Sequence, residues 1–135
     1  MAVTLSTHTC RITTAGGATS NANFDGTGSI IEAVPTHNNH PRVVREIRLT
    51  ARSTTTANMI RMYKYNNADA AWIPHSEYLV SSVPTVSASQ QRWGQTIKPY
   101  DVILGKDDKL GFSVHTVGVS PANEFYVHVE VEEVS

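Results

Sequence analysis

The fold class of this chain is decided by the stretch EFYVHVEVEEV, which occupies residues 124–134. Polar residues alternate there with four apolar ones, Phe125, Val127, Val129 and Val131. Successive side chains of a β-strand point to opposite faces, so one face of this stretch is predicted to be buried and the other solvated. Valines also pack better on a pleated sheet than around a helix. The stretch therefore predicts a core strand.

Segments of the same kind lie upstream, separated by clusters of Gly, Pro and Asn. Residues 28–34, 43–52, 59–65, 72–80, 92–97, 101–104 and 109–115 are predicted strands, and residues 117–123 are a predicted hairpin connection into the last one. We expect their buried positions to be Val43, Ile47, Leu49, Ala51, Ile60, Met62, Leu110, Phe112 and Val114, with Arg45 intruding on the buried face. Seven or eight short strands without helical periodicity predict an all-β, two-sheet antiparallel sandwich. Long, uneven connections favour a jelly-roll-like arrangement with Greek-key crossings.

The first 27 residues differ from the rest. Residues 13–28 are dominated by Thr, Ala, Gly, Ser and Asn, and they contain the turn signals Gly16-Gly17 and Asp25-Gly26. This segment has too little apolar surface to pack alone. We predict an extended N-terminal arm over residues 1–27, ordered on a neighbouring subunit, followed by a sandwich domain over residues 28–135.

Composition narrows the function classes. The chain has 135 residues, enough for one domain with a hydrophobic core, and a net charge of −1. That charge gives no electrostatic case for nucleic acid or an anionic membrane as partner. Neither a signal peptide nor an apolar run of spanning length is predicted. Cys10 is the only cysteine, which excludes an intrachain disulfide. A small buried or incidental thiol is favoured over one that cross-links subunits.

Histidines and acidic residues are the candidate metal ligands. His37 and His40 are three apart between two prolines, but no cysteine or carboxylate completes a zinc site, so solvent-exposed histidines are favoured. His115 and His128 are expected on adjacent strands and could meet across the sheet, although surface polar roles are favoured. The aspartates at the predicted turn suit turn geometry better than a calcium loop: Asp101, Asp107 and Asp108.

Nothing in the sequence points to catalysis. There is no Gly-x-Ser-x-Gly elbow and no phosphate-binding glycine loop before a helix. We therefore predict that the chain is not an enzyme and assign no catalytic, cofactor or metal residues. The binding residues stay open.

Aromatic and charged residues are the remaining candidates for binding. A sugar-stacking or protein-binding platform could use six aromatic residues, although places in or around the core are favoured: Trp72, Trp93, Tyr63, Tyr65, Tyr78 and Tyr100. Cross-strand or intersubunit ion pairs with Glu130 and Glu132 would account for the strand arginines, which are Arg45, Arg48, Arg52, Arg61 and Arg92.

The order of these segments resembles the small β-sandwich virion proteins of tailed bacteriophages and prophages, over residues 28–134. The resemblance lies in six segments: VREIRL at 44–49, MIRMY at 59–63, the Trp72 strand, DVILG at 101–105, KLGFS at 109–113 and EFYVHV at 124–129. It implies a structural role in a virion that assembles in the host bacterial cytoplasm. Most specifically, it implies a capsid decoration or cement protein, a homotrimer that binds the major capsid protein or another virion protein.

Two alternatives remain open. One is a head–tail or tail-associated structural component. The other is a carbohydrate-binding β-sandwich module that contacts host glycans through exposed Trp and Tyr side chains.

Overall fold

The computed structural model describes residues 3–36, 40–99, 101–118 and 120–134, and within these ranges all regular structure is β. The strands are β1 (Val3–Ile12), β2 (Ile31–Val34), β3 (Arg42–Ala51), β4 (Asn58–Asn66), β5 (Ala71–Val80), β6 (Gly94–Ile97), β7 (Ile103–Leu104), β8 (Lys109–Val114) and β9 (Phe125–Val134). They form two antiparallel sheets, which confirms the predicted sandwich.

The topology is that of a rolled-up hairpin. The first sheet has the order β1-β9-β3-β6, with β7 pairing the other end of β3, and the second has the order β2-β8-β4-β5. The first strand thus pairs the last, the second pairs β8, the third pairs β6 and β7, and β4 pairs β5. This nested pairing is a jelly roll with its Greek-key crossings, as the long connections predicted.

The core lies between the two sheets and is built from alternating side chains. On β9, Phe125, Val127, Val129 and Val131 are fully buried, as predicted from the alternation. The second sheet faces them with fully or almost fully buried side chains of β4 and β8, which are Ile60, Met62, Leu110, Phe112 and Val114. The pattern with period two therefore identified the buried face of three strands correctly.

Strand β3 departs from its prediction. Its register with β9 shifts between Val44 and Glu46, which marks a β-bulge at Arg45. Val44 is consequently in the core, Val43 is only partly buried, and Arg45 is exposed instead of intruding. The extra residue reverses which side chains of β3 before the bulge point into the core. Ile47 and the residues after it face as predicted.

The N-terminal segment also differs from the predicted arm. Residues of β1 pair in unbroken register with β9, from Val3 opposite Val134 to Ile12 opposite Phe125, and Ile12 is fully buried. A strand that completes the first sheet is part of the sandwich, so residues 3–12 do not reach away from it.

The predicted hairpin between β8 and β9 is wrong. These two strands belong to different sheets, and residues 115–124 carry the chain from one sheet to the other. His115 and His128 therefore do not meet across a sheet. A hairpin and a crossover both need a turn, so local sequence does not distinguish them.

We expect removal of residues 1–12 to abolish cooperative unfolding. The deletion strips the whole edge of β9 of hydrogen-bonding partners and removes the core side chain of Ile12. Urea denaturation followed by circular dichroism checks this. Leu5→Ala is the control, since it keeps the ladder intact and should change the free energy of unfolding by less than about 0.5 kcal/mol. A truncated chain with the full-length midpoint would contradict the expectation.

Candidate interaction surface

Residues 21–30 cross the outer face of the second sheet and are fixed there by hydrogen bonds and close contacts. The amide of Asn21 donates to the carbonyl of Val114 at 3.0 Å, and the hydroxyl of Tyr63 donates to the carbonyl of Asn23 at 3.1 Å. Gly26 has a φ of 91° and lies so close to the Trp72 carbonyl that a Cβ would approach its oxygen to 2.1 Å. The segment is thus ordered on its own domain by polar contacts and close backbone approach.

Arg61 on β4 connects this segment to the sheet. Its side chain is enclosed, and its Nε lies 3.2 Å from the Glu77 carboxylate. One terminal nitrogen donates to the carbonyl of Asn21 at 3.4 Å and lies 3.4 Å from Nδ1 of His115. Its guanidinium also lies 4.2 Å from the centroid of the Phe24 ring. Arg61 therefore fixes the position of Phe24.

Beside this arginine, apolar side chains lie on the outside of the sandwich. Phe24 is 62% exposed and Leu79 is 70% exposed. Met59 is the cross-strand neighbour of Leu79, and Pro74 on the same edge strand is exposed. We call Phe24, Met59, Pro74 and Leu79 the β5 patch. Phe24 and Pro74 line a depression on one side of Arg61, and Met59, which is partly exposed, lines another with Leu79. Exposed apolar side chains that lie near one another mark protein interaction sites.

The outer face of the first sheet is polar by contrast. Thr7, Glu46, Arg48, His128 and Glu130 line a shallow depression on it. Arg45 contacts the Glu132 carboxylate across the β3–β9 pair, and Arg48 lies 3.6 Å from Glu46. The predicted cross-strand ion pairing is confirmed for Arg45 with Glu132, whereas Arg48 lies beside Glu46 of its own strand.

A buried carboxylate closes one end of the sandwich. Glu124 is fully enclosed and accepts hydrogen bonds from the amide of Thr14 at 2.7 Å and from Arg52 at 2.9 Å. Burial by itself raises the pKa of Glu124, but hydrogen bonds from Ser120, Thr14 and Arg52 outweigh it and hold the pKa below its ordinary value of 4.5. Glu124 therefore ties residues 13–18 to β3 as an anion. No sequence pattern indicated this role.

The predicted metal-ligand candidates are dispersed. His37 lies outside the described residues, and His40 lies 3.8 Å from Glu133. Asp108 accepts a hydrogen bond from the Gly105 amide at 2.9 Å, as expected of a turn aspartate, while Asp101 is exposed beside His75. Within the described ranges, no three His, Cys, Asp or Glu side chains group as metal ligands.

The aromatic candidates do not form a platform. Trp93 packs edge-on against Phe125 in the core, with ring centroids 5.9 Å apart. Trp72 is half-buried against Tyr65 at 5.3 Å, with the Lys109 ammonium 5.4 Å from its ring centroid. Tyr63 is buried, Tyr78 packs against the core, and Tyr100 lies outside the described residues. Phe24, the exposed aromatic of the β5 patch, was missed because its segment lacked an apolar pattern.

Cys10 packs against the core from β1, and burial raises the pKa of its thiol to about 12. The thiol is protonated at neutral pH, which agrees with the predicted structural role. In the described parts of the chain, no helix has the length and apolar character needed to span a membrane.

Comparisons with known proteins add a weak structural likeness. No protein-family model matches the chain, and no curated protein matches it. Among solved structures, it is similar to a chain described as "Cyanophage Pam1 capsid asymmetric unit". The identity is 11%, the alignment covers 97% of this chain and 83% of that chain, and the TM-score is 0.39. A likeness at this level carries no argument about function.

We expect Glu124→Gln to lower the free energy of unfolding at pH 7 by about 2 kcal/mol, because it leaves Arg52 without its charged partner. The depressed pKa stabilises the fold above the unfolded-state pKa, and this contribution is lost as the pH falls through the folded-state value. The difference between wild type and variant should therefore shrink below about pH 4.5. Urea titrations from pH 3 to pH 7 measure it. Glu130→Gln, on the open face, is the control, and an equal deficit at all pH values would contradict the assignment.

We expect Arg61→Met to release residues 20–24 from the sheet, because the segment loses the guanidinium contacts to Asn21 and Phe24. Amide hydrogen exchange in residues 20–24 should accelerate about tenfold, because the loss of one hydrogen bond lowers the free energy of local opening by about 1.4 kcal/mol. Arg48→Met on the other sheet is the matched control. Unchanged exchange in the Arg61 variant would show that backbone contacts alone hold the segment.

Proposed function

We propose that the chain is a structural protein of a bacteriophage virion, most specifically a capsid decoration or cement protein that binds the shell through protein–protein contacts. The observation that carries this proposal is the β5 patch. In this role the chain performs no catalysis and resides in the particle, which assembles in the host bacterial cytoplasm.

The patch supports protein binding on energetic grounds. Leu79 and Phe24 are the most exposed of the large apolar side chains in the described structure. Covering one such side chain stabilises a contact by about 1.5–3 kcal/mol. A shell presents many symmetric copies of the same site, so contacts that are individually weak suffice to decorate it.

The fold does not decide between the virion role and the carbohydrate-binding alternative. Jelly rolls occur in viral capsid proteins and in lectins, so function has to be argued from the surface. The strand sequences resemble virion proteins, and the β5 patch has the apolar character of a protein contact. Both features favour the virion role.

The glycan-binding alternative receives no support from the tryptophans. It requires an open indole face, whereas Trp93 is buried and Trp72 is half-buried, in contact with Tyr65 and near the Lys109 ammonium. A tail-associated role uses the same kind of surface as a shell role. Imaging of the virion is therefore the measurement that locates the chain in the particle and counts its copies at each site. The resemblance implies three copies, as a homotrimer.

We expect the chain to copurify with particles of the phage or prophage that encodes it, and Leu79→Glu to weaken its binding to particles lacking it by at least about tenfold. A buried carboxylate without a partner costs more than the 1.4 kcal/mol that this factor represents. Cosedimentation of purified chain with such particles measures the binding.

Ile103→Glu is the matched control, since Ile103 is also exposed, at 53%, but lies on β7 of the other sheet. Equal binding of both variants would remove the patch from the contact, and absence of the chain from purified particles would refute the virion role. A glycan that changes tryptophan fluorescence and is released by Trp72→Ala would favour the carbohydrate module instead.

A further inference from the structure

The edges of the two sheets are protected to different degrees. On the second sheet, β2 is four residues long with a register shift, and β5 carries Pro74 and a bulge. On the first sheet, β6 and β7 are only four and two residues long. Short strands, prolines and bulges are the devices by which proteins prevent unwanted strand pairing.

Strand β1 has none of these devices. It is ten residues long, contains no proline, and pairs with β9 in unbroken register. Its sequence, VTLSTHTCRI, is rich in residues that favour strands, and Leu5 on its outer row is 58% exposed. Its free side is therefore suited to pair with another strand.

Charge along this edge selects the partner strand. Arg11 lies at the end of β1, opposite Tyr126, and among the described residues it has no ion-pair partner. At the other end of the same face, Leu5 lies opposite Glu132 and Thr7 lies opposite Glu130. The outer face along β1 is thus basic at the Arg11 end, and at the other end the adjacent strand β9 supplies Glu130 and Glu132, the latter also in contact with Arg45. Two copies of β1 that run antiparallel would bring the basic end of each toward these carboxylates of the other.

We propose that β1 pairs antiparallel with β1 of a second copy of this chain, so that the two first sheets join into one continuous sheet. A two-fold axis near Thr7 or His8 places Arg11 of each copy beside the end that carries Leu5 and Glu132 of the other. Each contact is made twice, as in every isologous interface. Cys10 packs against the core, on the face of β1 opposite to that of Leu5 and Arg11, and takes no part in this contact.

This inference goes beyond the proposed function and does not depend on it. The β5 patch lies on the second sheet, whereas β1 is an edge of the first sheet. The two-fold contact also gives a dimer in place of the trimer that the resemblance implies. The purified chain alone can therefore test it, whatever the virion experiment yields.

Sedimentation equilibrium of the full-length chain should give a mass of two chains at high concentration. Leu5→Lys, which adds a charge to the pairing edge, should weaken association by at least about tenfold, and Arg11→Glu should do the same. Leu79→Lys on the β5 patch is the matched control and should keep wild-type association. Circular dichroism melting checks that each variant is folded.

Hydrogen exchange gives a second measurement that does not use variants. Amides of β1 should gain protection as concentration rises, while those of β5, the long edge strand of the second sheet, should not. A monomer at all concentrations, a mass of three chains, or loss of association in Leu79→Lys but not in Leu5→Lys would each overturn the proposal.

Discussion

The structure depends on the burial of one face of β9 between two neighbouring strands. β9 pairs along its whole length with β1 and over most of it with β3, while its four apolar side chains fill the core. The first strand, the last strand and the third are thereby held in one sheet. Between these paired ends, the intervening strands pair as successive nested pairs, which is the jelly-roll arrangement.

Polar contacts fix the segments that add little to this apolar core. Residues 21–28 contribute few apolar side chains, yet they lie fixed on the second sheet, because Arg61 and Tyr63 donate hydrogen bonds to the carbonyl groups of Asn21 and Asn23. At the end of the sandwich, Glu124 performs the equivalent task for the amide of Thr14. Enclosed polar groups of this kind specify one chain path, since a displaced segment would leave them unpaired.

The two outer faces of the sandwich are chemically different, and the proposals follow from that difference. Ion pairs between strands keep the outside of the first sheet solvated, as in the contact between Arg45 and Glu132. The second sheet is covered in part by residues 21–30, and Phe24 from this segment and Leu79 are exposed beside Arg61. The β5 patch is thus suited to bind a protein partner through apolar side chains. The β1 edge is suited to bind a partner strand through backbone hydrogen bonds.

Sequence alone determined the fold class and most of the core, because the facing of a strand repeats every two residues and is a local property. Ile60, Met62 and the apolar residues of β9 followed from that repeat. The bulge at Arg45, the assignment of β8 and β9 to different sheets, and the paths of β1 and residues 13–30 depend on which strands meet. The surface presented by Phe24 and Leu79 likewise exists only because β5 is an edge and a distant segment lies beside it. Pairing between remote segments is a property of the whole chain, and only the tertiary structure decided it.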